Sequence, residues 1–291
     1  MGRWGSVGSH RRYAALQTLT GVSAAIIASG LVTAPAEGVV VQNRASISPA
    51  PGWVGYWNGS SGVPIGPHWV ITAKHTGGSV GMDFWMQGVA YNCVEIREHP
   101  TQDIQLLRVT QTLPGWHRLA TGVEYGDPCI LGGYGATAGA DVTNGYDWSG
   151  PHQETWGANV IQSPGTLLAV RYDPPATGVP FESLFAVNDS GGGLFVYGAD
   201  SQLELAGVAV SVTNFGSTVY GNVAYALNVE DLENWIMPIV DPGEPISSSV
   251  IAPRASLARD GLVPVIGGLG VLSVAFRFWR LRRRSRTAAA A

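Results

Sequence analysis

Three residues with chemical potential stand at the ends of apolar, strand-like runs. Val70-Ile71-Thr72-Ala73-Lys74-His75 is an apolar run that ends in a histidine. Asp103 opens the run Ile104-Gln105-Leu106-Leu107-Arg108-Val109. Ser190 lies in Asn188-Asp189-Ser190-Gly191-Gly192-Gly193, ahead of the apolar Leu194-Phe195-Val196. Glycine admits positive φ and lets other chain segments come close, so such a loop can hold a hydroxyl in the open beside converging backbone N–H groups. A serine becomes a useful nucleophile only when a base within hydrogen-bond reach takes its proton, and neutral imidazole suits that task near pH 7. A carboxylate on the far imidazole nitrogen fixes the tautomer and stabilises the imidazolium. A bare Ser-Gly-Gly is also an ordinary turn. The histidine and the aspartate upstream give this one a chemical reading, in the order His, Asp, Ser.

With these motifs the chain resembles the chymotrypsin/trypsin-like serine proteases. Thr72-Ala73-Lys74-His75 is similar to that family's T-A-A-H, Asp103-Ile104-Gln105-Leu106-Leu107 to D-I-A-L-L, and Asn188–Gly193 to G-D-S-G-G-P. Glu95–Pro100, Cys129–Gly135 and the stretch from Val223 to Ile236 carry the likeness further, over roughly residues 39–237. The resemblance implies that His75 is the base, that Asp103 is a buried carboxylate orienting it, and that Ser190 is the nucleophile. It also implies an oxyanion hole formed by the backbone N–H groups of Asn188 and Ser190. Leu184, six residues before Ser190, falls where trypsin-like specificity would place an aspartate, so a neutral or apolar P1 side chain is expected. Ser211 and Thr213 are expected on the pocket wall.

Four positions depart from the family pattern. Asn188 replaces a glycine where positive φ is expected, and Asn tolerates that conformation well. Lys74 replaces a small alanine beside the histidine, where its charge can lower the imidazole pKa or its stem can carry it outward. Thr76 replaces a cysteine, which removes a disulfide near the histidine. Cys129 matches a family cysteine whose usual partner position holds Val196, so either Cys93 pairs with Cys129 or both are free buried thiols. In activated members the acid before the serine pairs with a new amino terminus. A terminus released near Gly38-Val39-Val40 is therefore expected to reach Asp189.

The composition suits a β-rich extracellular domain. The chain has 291 residues, 45% hydrophobic and 13% charged, with 39 Gly, 18 Pro and two Cys, which is turn-rich and far from a disordered composition. The net charge of −4 conceals a segregation, because residues 37–245 hold six basic residues against twenty acidic ones, a formal −14. A phosphate backbone would be repelled by that domain, so no nucleic-acid partner is expected. His68, His117 and His152 show no metal-ligand spacing, and neither a metal nor another cofactor is expected. The bland reading of His99, which precedes Pro100, is a turn residue.

Both ends read as targeting segments. Arg3, Arg11 and Arg12 precede an apolar run from Tyr13 to Val32, and Ala34-Pro35-Ala36 follows. Those are the parts of a secretory signal peptide over residues 1–36, the alternative being a retained anchor. Residues 242–260 read as a linker. Residues 261–291 hold an apolar stretch, Gly261 to Phe276, and then six arginines, a pattern for a membrane anchor or sorting tail with its basic end inside. This end resembles the PEP-CTERM sorting class, although the defining Pro-Glu-Pro is absent. A membrane or envelope sorting machinery is its expected partner.

Between the ends, short β-branched and aromatic runs alternate with Gly, Pro, Asn and Asp clusters. Candidate strands include Val39–Val41, Trp53–Trp57, Trp69–Ala73, Gly88–Tyr91, Ile104–Val109, Cys129–Gly135, Thr166–Val170, Leu205–Val210 and Asn222–Leu227. One helix is expected from Asn228 or Glu230, with Leu232, Trp235 and Ile236 on one face and Pro238 as its stop. The expected fold is therefore all-β: two antiparallel six-stranded barrels, 37–118 and 119–241, the second carrying the short C-terminal helix. The expected function is secreted serine endopeptidase activity on peptide or protein substrates. The alternative is a non-catalytic homologue that binds peptides or surface polymers.

Overall fold

The computed structural model describes residues 38–241. The expected signal peptide (1–36), linker (242–260) and tail (261–291) lie outside the described residues.

After a short strand β1 (Val40–Val41) the chain builds a first barrel from β2 (Gly55–Trp57), β3 (Ser60–Gly66), β4 (Trp69–Thr72), β5 (Asp83–Met86), β6 (Val89–Glu98) and β7 (Gln105–Val109). It closes in the order β2-β3-β4-β7-β6-β5. The second half runs through β8 (Pro128–Gly133), a hairpin of β9 (Asp141–Val142) and β10 (Gly145–Asp147), β11 (Thr155–Pro164), β12 (Leu167–Arg171), β13 (Ser183–Leu184), β14 (Gly193–Tyr197), β15 (Leu203–Val212), β16 (Ser217–Val219) and β17 (Val223–Asn228). Six of these close a second barrel, β11-β12-β17-β15-β14-β8. Counted by its own strands, each barrel has the same order, 1-2-3-6-5-4, and all its pairings are antiparallel. Closure removes the sheet edges that would otherwise invite pairing with another chain.

The expected all-β double barrel is thus the observed architecture, that of the trypsin-like fold. Several strands carry no alternating signature in the sequence. β3 reads Ser-Ser-Gly-Val-Pro-Ile-Gly, a turn composition, yet all seven residues are buried. Pro64 is accommodated because the ladder with β4 shifts register between Pro64 and Gly66, and a bulge is where a strand tolerates a missing N–H.

One apolar cluster joins the barrels. Ile65, Ile71 and Leu106 of the first meet Ile130, Phe195 and Leu205 of the second, and Leu232 and Ile236 close over them. Burying side chains of this size contributes about 1.5–3 kcal/mol each. The terminal helix α1 spans Glu233–Val240 after a 3-10 turn at Glu230–Leu232. Pro238 lies inside it instead of ending it. In so short a helix the missing N–H forfeits a single intrahelical bond, and Asp241 N–H closes the end on Met237 O.

Candidate active site

His75 sits in a 3-10 turn, Lys74–Thr76, directly after β4. No disulfide anchors this turn; hydrogen bonds fix it. Thr76 Oγ1 donates to Ala73 O at 2.7 Å, and Asn58 Nδ2 to Thr76 O at 2.6 Å. Trp57 Nε1 and Gln105 Nε2 both donate to Gly77 O at 2.8 Å. The Lys74 ammonium donates to His99 O at 3.0 Å.

Asp103 ends the loop between β6 and β7 and addresses His75 with both oxygens. Oδ1 accepts the His75 backbone N–H at 2.8 Å, and Oδ2 lies 2.5 Å from Nδ1. The carboxylate is not buried as expected: its side chain is 39% exposed and that of His75 45%. Solvent reaches the pair because both lie in the segments between strands, not within a barrel. The two directed bonds hold the imidazole, therefore, and not a low-dielectric shell.

Ser190 comes from the second barrel and places Oγ 2.7 Å from His75 Nε2. The three residues form one hydrogen-bonded chain, Asp103–His75–Ser190, assembled from positions up to 115 residues apart. The loop around Ser190 has two left-handed residues, Asn188 at φ 68° and Gly191 at φ 84°. Asn188 thus adopts the conformation that its replacement of glycine required. A Cβ on Gly191 would overlap Thr72 Oγ1 and Ser61 O.

Two buried groups that the sequence did not single out, or left open, hold the loop. Ser61 of β3 is fully buried. Its N–H donates to Ser190 O at 2.9 Å, its Oγ accepts the Tyr134 N–H at 2.8 Å, and its carbonyl accepts Thr72 Oγ1 at 2.7 Å. Asp189 is also fully buried. Its Oδ1 accepts the Gly135 N–H and its Oδ2 the Ala186 N–H, each at 2.7 Å. Burial pushes this carboxyl up to about 8 against the opposing pull of those two amides. Both carboxylate oxygens are thus engaged by backbone amides of the second half of the chain.

The pocket candidates are placed unequally. Leu184 pairs with Val40 and lies 1% exposed in the core of the second barrel. Ser211, near the end of β15, and Thr213, just beyond it, are exposed, and Thr213 Oγ1 accepts the Val223 N–H at 2.9 Å. Near Leu184, the buried Glu182 accepts N–H groups from Asn159 at 3.1 Å, Asp173 at 3.0 Å and Val179 at 2.9 Å. It therefore pins the loop 173–182, and burial raises it to about 7. No sequence signal marked Ser61 or Glu182: the Ser61 partners Tyr134 and Ser190 are distant in the chain, and those of Glu182 are two nearby backbone amides and the Asn159 side chain. Cys93 and Cys129 are both free and buried, which settles the open alternative.

Among the described residues, no group of three or more His, Cys, Asp or Glu is placed to hold a metal ion. None of the described helices is long and apolar enough to cross a membrane. Comparison of the sequence with models of known protein families and with curated proteins finds no match.

Proposed function

We propose that this chain is a secreted serine endopeptidase. The observation that carries the reading is the single hydrogen-bonded line from Asp103 through His75 to Ser190 at the junction of two trypsin-like barrels. In this reading Ser190 Oγ attacks the substrate carbonyl carbon while His75 Nε2 takes its proton. The carbonyl oxygen, now an anion, is met by the N–H groups of Asn188 and Ser190. His75 returns the proton to the departing amine as the C–N bond breaks and an acyl ester forms on Ser190. Water, deprotonated by His75, then releases the acid and restores the serine. Asp103 stays ionised throughout and holds Nδ1–H toward itself. The segment from Ser211 to Thr213 would pair with an extended substrate, and the neutral or apolar P1 preference rests on Leu184 standing, in sequence, where trypsin-like specificity would place an aspartate. The Glu182 oxygens are engaged by Asn159, Asp173 and Val179.

Export through residues 1–36 and retention at the cell envelope through residues 261–291, by the membrane or a sorting machinery, complete the proposal. A fluorophosphonate probe tests its core. Wild type should be labelled and Ser190→Ala should not, and a peptide library should then be cleaved after neutral or apolar residues. A folded wild type that resists the probe, while ordinary serine proteases react, would favour the alternative of a non-catalytic homologue that binds peptides or surface polymers.

A further inference from the structure

The loop that presents Asp103 has an organiser of its own. His99 follows β6 directly, and its N–H donates to Ile104 O at 2.9 Å, closing the loop 99–104. Inside that loop its Nδ1 accepts two backbone donors, Thr101 N–H at 3.2 Å and Gln102 N–H at 2.9 Å. Its carbonyl accepts Lys74 Nζ at 3.0 Å, which ties the loop to the turn bearing His75. Its ring stands edge-on to Trp235 of α1, with centroids 4.9 Å apart and planes at 73°. One residue therefore joins the Asp103 loop, the His75 turn and the C-terminal helix.

Asp103 needs such an organiser because packing does not hold it. Its side chain is 39% exposed, while its two bonds to His75 demand a defined position for both oxygens. We infer that His99 is a positioning residue for the proposed reaction: its unprotonated Nδ1 gathers the Thr101 and Gln102 amides and so aims the Asp103 carboxylate at His75. This rests on the serine-protease reading above. An acceptor is what two converging amides require, and a donor there would leave both unpaired. The charged group facing His99 is Lys74, from the turn after β4, and the helix side presents the uncharged indole of Trp235. Burial first, and the Lys74 charge second, lower the His99 pKa and keep Nδ1 an acceptor.

The test separates the acceptor from the ring. His99→Phe keeps an aromatic edge against Trp235 and removes Nδ1, whereas His99→Asn restores an acceptor oxygen at similar reach. With a chromogenic peptide substrate, His99→Phe should lower kcat by about 10- to 100-fold with little change in KM, the size expected when a catalytic group is misplaced by about an ångström. His99→Asn should recover most of that loss. In an Asp103→Asn background, His99→Phe should cost nothing further, because the residue acts only through that carboxylate. Wild-type kcat in folded His99→Phe, equal impairment in His99→Asn, or a full additional loss in the Asp103→Asn background would each overturn the inference. An inactive wild type would instead sink the protease reading itself.

Discussion

Replacing Asp103 by asparagine is the sharpest probe of the site, because the structure dictates which way the new amide must face. Oδ1 receives an obligate donor, the His75 backbone N–H, at 2.8 Å. If the asparagine NH2 took that position, two donors would oppose each other. The amide oxygen must therefore stay there, and the NH2 must face His75 Nδ1, where Oδ2 now lies 2.5 Å away. A donor at that place forces Nδ1 to accept and moves the imidazole proton to Nε2. The 2.7 Å contact with Ser190 Oγ then survives with its direction reversed, and the serine has no base. Loss of the correct tautomer in such a triad lowers kcat by about 10⁴-fold, or about 5.5 kcal/mol at 1.36 kcal/mol per tenfold. Folding stability should hardly change, by less than about 1 kcal/mol, since the pair is solvent-exposed and makes no buried ion contact. The assays are peptide hydrolysis under saturating substrate and urea unfolding of the same sample. An Asp103→Asn protein that keeps more than about a tenth of wild-type kcat, or loses activity only by unfolding, would refute the reasoning.

Gly191→Ala should be both destabilised and nearly inactive, because φ is 84° there and the new methyl would overlap Thr72 Oγ1 and Ser61 O. Gly221→Ala is the control: its φ of 92° carries the same backbone penalty in open space, so it should cost about 1 kcal/mol in urea unfolding and leave kcat intact. Stability should also fall as pH rises from about 6.5 to 8. Asp189 and Glu182 have folded pKa values raised to about 8 and about 7, so each favours folding below its unfolded value and loses that contribution as pH climbs through the folded one. His117, buried and lowered to about 4, acts in the opposite sense, but only below about 6.5, where the unfolded chain takes up the proton. Above that, of these three groups only the two acids act, and between pH 6.5 and 8 they remove about 2 kcal/mol; a flat or rising urea midpoint between pH 6.5 and 8.5 would contradict the assignment.

Much of the site is written locally in the chain. His75, Asp103 and Ser190 each end or open an apolar run, and such runs become barrel strands whose ends converge. Strand alternation located β4, β7, β8, β15 and β17 to within a few residues. It missed β3, whose glycines, serines and proline look like a turn, because burial on every face and a bulge at Pro64 override local propensity. It also missed β11, and it took Pro238 for a helix stop when the helix was too short for the lost bond to matter. His99 was legible only as a turn residue. Its two amide partners lie within three positions, but Lys74 and Trp235 reach it from distant parts of the chain. Asp189 was legible as an acid in search of a partner; that its partners are the amides of Gly135 and Ala186 is a property of the folded loop.

Ser61 shows why the site belongs to the pair of barrels and to neither alone. In the proposed reaction, base and orienter come from the first barrel and the nucleophile from the second, so proton transfer would depend on a distance between two separately closed sheets. Apolar packing between barrels is non-directional and would tolerate small sliding. The Ser61 bonds do not: its N–H holds Ser190 O and its hydroxyl receives the Tyr134 amide, both from the second barrel, while its own carbonyl is held by Thr72, three residues before His75. A shift that lengthened the His75–Ser190 contact would have to break these fully buried bonds as well, leaving their groups unpaired away from water. The register of one serine in β3 thus sets the geometry of the proposed reaction, in which its own side chain takes no part.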